Sequence, residues 1–150
     1  MKVVIIGASG FVGSYLAYEL ESAGHSVIKT DLPELDLLNA AQVDAFVANH
    51  SPDAVVNLAA ISSVRTSWIY PTNTISVNVN GTLNLLEAVR KHAPKAKTLL
   101  IGSAEEYAIP KGIKALKETD PLAAIYPFGI SKIDPENFAQ SYCPKYSMKI

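Results

Sequence analysis

Val3-Val-Ile-Ile6-Gly7-Ala-Ser-Gly10-Phe-Val-Gly13 is the stretch that decides the fold. Four β-branched residues in a row, with no polar alternation, suit a strand buried on both faces. Glycines follow at once, and Val12, Leu16, Leu20 and Ala23 then recur at helical spacing until Gly24 supplies a stop. Gly7 lets the chain turn sharply out of the strand. Gly10 lets backbone N–H groups approach a pyrophosphate at the helix N-terminus, where the dipole favours an anion, and Gly13 lets helix and strand pack closely. Glycines in this number also make plain structural turns. It is their place at a strand-to-helix junction that points to a dinucleotide, with Ser9, Phe11 and Val12 beside it.

Working outward, the same alternation continues. Ser26–Thr30 reads as a second strand. Asn39 caps a helix through about His50, with Val43, Phe46 and Val47 as its apolar face. Ala54–Ala59 is a third strand. Ile75, Val79, Leu83, Leu86 and Val89 mark a long amphipathic helix that ends before Pro94. Lys97–Gly102 makes another strand, a last helical region spans about Pro127–Tyr142, and Lys149–Ile150 reads as the start of one more strand. Short connections between alternating strands and helices predict an α/β, doubly wound parallel sheet of the Rossmann kind, with residues 1–150 as one domain. Such folds carry about six strands, so the last strands and any substrate domain are expected to be lacking.

Asp31 ends the second strand, ~20 residues beyond the glycine loop, where an acid accepts both ribose hydroxyls of NAD. A carboxylate there repels the 2′-phosphate of NADP, and no arginine stands beside it. NAD is the expected cofactor.

Composition removes other classes. The formal charge of −1 and the scattered Lys and Arg give no basic face for nucleic acid; Lys111, Lys114 and Lys117 read as a solvated loop cluster. The longest clear apolar run, Val3–Gly7, is far short of a membrane span, and no secretory signal pattern is present, so a cytoplasmic protein is expected. Cys143, the lone cysteine, excludes an internal disulfide and a thiolate cluster. His25, His50 and His92 are dispersed without metal-ligand spacing, and Trp68 and Tyr70 are expected to pack within their loop.

Gly7–Gly13 has the GxxGxxG form and resembles the extended short-chain dehydrogenase/reductase family, the NAD-dependent nucleotide-sugar epimerases and dehydratases. Asp36-Leu37 is similar to that family's adenine-contacting pair, and Leu32, next to Asp31, is also expected at the cofactor. Asn57-Leu58-Ala59-Ala60 resembles the strand end that runs beside the cofactor. Ser67-Trp68, Pro71 and Asn78-Val-Asn-Gly81-Thr-Leu-Asn-Leu-Leu-Glu87-Ala-Val-Arg90 resemble most the GDP-mannose 4,6-dehydratase and GDP-4-keto-6-deoxy-mannose reductase branch. Gly102-Ser103-Ala-Glu105-Glu106-Tyr107 resembles the catalytic strand end. The resemblance implies that Ser103 bonds the sugar 4-oxygen and Lys132 the nicotinamide ribose. It also implies that Glu105 moves the C5 proton, although Glu106 beside it offers the same chemistry. It further implies a nucleotide-sugar substrate, a pocket built largely by a second domain, and a homodimer formed by two long helices of each subunit.

The chain departs from the family in its last third. Members carry Tyr-x-x-x-Lys, one turn apart, so that the cation lowers the phenol's pKa. Here Phe128 stands four residues before Lys132, and Phe has no proton to exchange. Tyr126, six residues before Lys132, falls on roughly the opposite helix face. It reaches the site only if Pro127 starts the helix and Tyr126 hangs back from the loop before it. Ala108 replaces the usual glycine, and Pro144 stands in a segment usually free of proline. Asp134-Pro135 reads as a helix break, with Asp134 capping a restarted helix, which would weaken the dimer. Two functions therefore stand open: a nucleotide-sugar epimerase, dehydratase or reductase working through a 4-keto intermediate, or an NAD-binding module without turnover.

Overall fold

The computed structural model describes residues 1–108 and 115–150. Lys111 and Lys114 of the expected lysine cluster lie outside them; Lys117 is exposed. Strands β1 (Lys2–Ile6), β2 (Ser26–Thr30), β3 (Ala54–Asn57) and β4 (Lys97–Leu100) form one parallel sheet in the order β2-β1-β3-β4. Lys149 bridges in parallel to Lys97, and the Thr98 N–H donates to Lys149 O at 2.7 Å, so the chain end does begin a further strand beside β4.

Helices cover both faces, which is why β1 reads as an unbroken apolar run: alternate residues leave opposite faces, and both faces are buried. Val3 and Ile5 pack with Ala17 of α1 (Phe11–Ser22) and Val56, while Val4 and Ile6 join Val43 and Val47 of α2 (Ala40–His50). Asn39 caps α2 through a 3.1 Å bond from Gln42 N–H to its side-chain oxygen. Leu85, Leu86, Ala88 and Val89 of α5 (Gly81–His92) complete that side of the core.

Three local features differ from the sequence reading. The long helix before Pro94 is not one uniform helix: α3 (Val64–Ile69) and α4 (Pro71–Ile75) lead into a π turn at Ser76–Asn80, and only then into α5. Val79, Leu86 and Val89 are buried as expected, joined by Leu85, while the expected Leu83 is only half-buried. The second difference is at Asp134-Pro135. Helix α6 runs unbroken over Pro127–Tyr146, through both Pro135 and Pro144. Pro135 removes one helix hydrogen bond, but it is buried in line with Phe128 and Ser131, and tertiary packing of that face holds the helix together. Asp134 therefore caps no restarted helix, and the ground for a weakened dimer falls with it. Trp68 and Tyr70 are both 60% exposed, on and just after α3, so the expected loop packing is absent.

Candidate functional site

The sharp exit from β1 is built as the glycines require. Gly7 sits at φ +82°, and a Cβ there would lie 2.8 Å from Ala59 N. A Cβ on Gly13 would overlap Gly7 O and lie 2.6 Å from Ala8 Cα. No side chain larger than hydrogen fits either place without moving backbone. Helix α1 thus begins hard against the loop, with Gly10 as its N-cap and no side chain closing its first turn. Its free N–H groups form a ready anion site.

In front of that helix end lies one cavity of about 740 Å³, within the ~300–1,000 Å³ typical of cofactor sites. Gly7, Ser9, Gly10, Phe11, Val12 and Gly13 line it from the loop, Asp31 and Leu32 from the end of β2, and Asp36 and Leu37 from the following turn. Leu58, Ala59 and Ala60 border it from the end of β3, and Lys132 closes it from α6. Every residue expected at the cofactor reaches this space except Asn78. That side chain, 3% exposed in the π turn, instead bonds Ile61 N–H (2.8 Å), Ile61 O (3.0 Å) and Ser131 Oγ (2.8 Å). It ties the strand-end loop to α6, so it shapes the cavity from behind rather than lining it. Leu35, Asn73 and Val77 also line the cavity; their apolar or small polar character carries no motif by which sequence could single them out.

Asp31 is charged and held. Its carboxylate accepts the Ser9 hydroxyl (2.5 Å), the Ser9 N–H (3.2 Å) and the Leu32 N–H (3.0 Å). The Ser9 hydroxyl above all holds it below the usual carboxylate range. Among the described residues that line the cavity, Lys132 is the cation and none is arginine.

The inner end of the cavity is where the residues depart from expectation. Phe128, 6% exposed, lines it, and so presents a ring with no proton in the place of the expected tyrosine. Pro127 does start α6, and Tyr126 is its N-cap, half-buried and outside the residues that line the cavity. Ser103 and Glu105 also lie outside it. Ser103 heads the turn Ala104–Glu106, where its Oγ accepts the Glu105 N–H at 3.2 Å. Glu105 is exposed. Glu106, next to it, is the buried one at 2% exposure, and its Oε1 accepts the Ser103 N–H at 2.6 Å. Ser-x-x-Glu is a capping-box pattern, and that signal in Ser103–Glu106 foretells which of the two carboxyls turns inward. Lys132 donates to Ile101 O at 2.9 Å, and burial draws its ammonium below the ordinary lysine range against the pull of Glu106 and Glu136.

A fold of parallel strands with a glycine-built anion site, an acid at the end of β2 and a lysine across the cavity defines a dinucleotide-binding α/β protein. Residues 3–150 match the model of the NAD dependent epimerase/dehydratase family, and the chain belongs to that family. The dTDP-4-dehydrorhamnose reductase of Aggregatibacter actinomycetemcomitans is 30% identical over 147 residues, 96% of this chain and 48% of the relative. The UDP-glucose 4-epimerase of Mus musculus is 28% identical, over 95% of this chain and 49% of its own. Thermus thermophilus UDP-glucose 4-epimerase, solved in complex with NAD, superposes with a TM-score of 0.90 at 28% identity over 99% of this chain and 52% of that one. The chain thus spans about half the length of the relatives it matches. NAD is the cofactor of the family, and these relatives are named for UDP- and dTDP-sugar chemistry. Among the described residues no helix is long and apolar enough to cross a membrane.

Proposed function

We propose that this chain holds NAD in the cavity in front of α1 and serves an enzyme that works on a nucleotide-activated sugar through a 4-keto intermediate, as an epimerase, dehydratase or reductase. One observation carries the reading: a single cavity gathers the Gly7–Gly13 loop, Asp31, Asp36-Leu37, Leu58-Ala59-Ala60 and Lys132. The donor set suits the cofactor. Free N–H groups at the start of α1 meet the pyrophosphate, the Asp31 carboxylate takes the ribose hydroxyls, and Lys132 holds the nicotinamide ribose. When bound, the nicotinamide supplies hydride acceptance and return at C4 of the sugar. The chain's own part is to orient the ring; by resemblance to the family, Ser103 would hold the reacting oxygen and Glu105 the C5 proton, both from outside the cofactor cavity. A carboxylate at Asp31 without an arginine beside it favours NAD over NADP.

Phe128 supports a second reading, an NAD-binding module without turnover. A phenyl ring cannot accept or donate a proton, and general acid–base groups commonly contribute about 10²–10⁴-fold. Tyr126, at the start of α6, is the carrier under the first reading. Calorimetric titration with NAD tests what both share. In a chain extended with a family substrate domain, turnover of a 4-keto nucleotide sugar that is lost in Tyr126→Phe supports the first, and NAD binding without turnover supports the second.

A further inference from the structure

Glu106 and Glu136 meet beneath Gly102. A Cβ on that glycine would lie 2.5 Å from Glu136 Oε1 and 3.2 Å from Glu106 Oε1, so the two carboxyls crowd one point. Glu136 stands one turn after Lys132 on α6, and Lys132 reaches Ile101 O, the residue just before that point. Two carboxylates this close cannot both ionise cheaply when buried, and a hydrogen bond between them with one proton removes the repulsion. We propose that Glu106 and Glu136 share one proton and act together as a positioning pair for Lys132, fixing the charge at the inner end of the dinucleotide cavity. The inference rests on the reading of Lys132 as a cofactor-holding residue.

The surroundings fit a shared proton. Glu106 is 2% exposed, and Ser103 N–H is the donor from its own turn. Glu136 and Lys132 face it from α6, and the neighbouring Glu105 is exposed. Burial first, and then the Glu136 charge, push the Glu106 carboxyl up to about 7, with Ser103 N–H and Lys132 opposing. Below that pH the pair carries one negative charge beside one ammonium, and Lys132 stays on Ile101 O. Above it a second negative charge appears, and the ammonium is drawn onto the pair and away from the cavity. The sign follows from a raised carboxyl: the folded state holds a proton that the unfolded chain has lost, so this contribution to stability is complete below the unfolded value of 4.5 and disappears as pH rises through about 7.

Infrared titration of the ligand-free chain between pH 5 and 9 reads the proton directly. Wild type should show the band of a protonated buried carboxyl fading near neutral pH. Glu106→Gln should lack it, and Glu136→Gln should shift its loss to lower pH, because the repelling charge is gone. NADH affinity should fall about threefold from pH 6 to pH 8.5 in wild type, the worth of a partly exposed ion pair, and stay flat in Glu106→Gln. Glutamine keeps the acceptor for Ser103 N–H, and Glu136→Gln serves should Glu106→Gln not fold. An unchanged band in Glu106→Gln, or the same pH profile of binding in wild type and Glu106→Gln, overturns the proposal. No NADH binding at any pH, with the band and its shift intact, overturns the dinucleotide reading instead and leaves the shared proton standing.

Discussion

Gly13→Ala tests how the loop is held against the helix. The added methyl would overlap Gly7 O and lie 2.6 Å from Ala8 Cα and 2.8 Å from Ala8 C. Every one of these is backbone, so no side chain can swing aside. Relief needs the Gly7–Gly10 loop and the start of α1 to separate by several tenths of an ångström. Overpacking of this kind costs about 1–3 kcal/mol. Alanine returns less than about 1 kcal/mol through its helix preference, because the site is in the first turn. The net loss is about 1–2 kcal/mol, a fall in Tm of roughly 2–8 °C at this chain length. The same displacement spreads the N–H groups that face the pyrophosphate, so NAD affinity should fall at least about tenfold, which is ~1.4 kcal/mol. Differential scanning calorimetry and a NAD titration on the one variant read both effects. A Tm within a degree of wild type together with unchanged affinity would refute the close approach of α1 to the loop.

Phe128→Tyr restores the one-turn spacing to Lys132. Ultraviolet difference titration should then reveal an added phenol ionising below the ordinary tyrosine value of about 10, since the ammonium favours phenolate; a normal or raised value would sink the idea that Lys132 faces residue 128. Asn78→Ala removes three bonds that join the Ile61 loop to α6. It leaves buried partners unsatisfied at about 1–3 kcal/mol, so the urea midpoint should drop; no change would show the brace to be idle.

Much of this fold was legible because its signals were local. Val3–Ile6, Gly7, Gly13, Asn39 and Asp31 each carry a pattern that can be read from residue type and short spacing, although Gly7 meets Ala59 and Asp31 meets Ser9 only in the fold. The loop and strand-end residues expected at the cofactor line one cavity, with Lys132 added from α6, while Asn78 stands behind it. What stayed hidden depends on distant packing. Nothing in Ser76–Asn80 announces a π turn, which forms where Asn78 finds Ile61 and Ser131. Pro135 reads as a break by propensity, yet a buried face holds α6 whole. Glu105 and Glu106 are alike in chemistry, and here a local signal, the Ser103-x-x-Glu106 capping pattern, rather than distant packing decides which enters.

The central claim is that Asp31 and the Gly7–Gly13 loop form an NAD site, and calorimetric titration of NAD(H) against NADP(H) tests it most directly. NAD(H) should bind at least about tenfold tighter, a gap of ~1.4 kcal/mol, because the ionised Asp31 repels a 2′-phosphate. Asp31→Ala should narrow that gap. Equal affinities for the two cofactors, or no binding of either, would contradict the account.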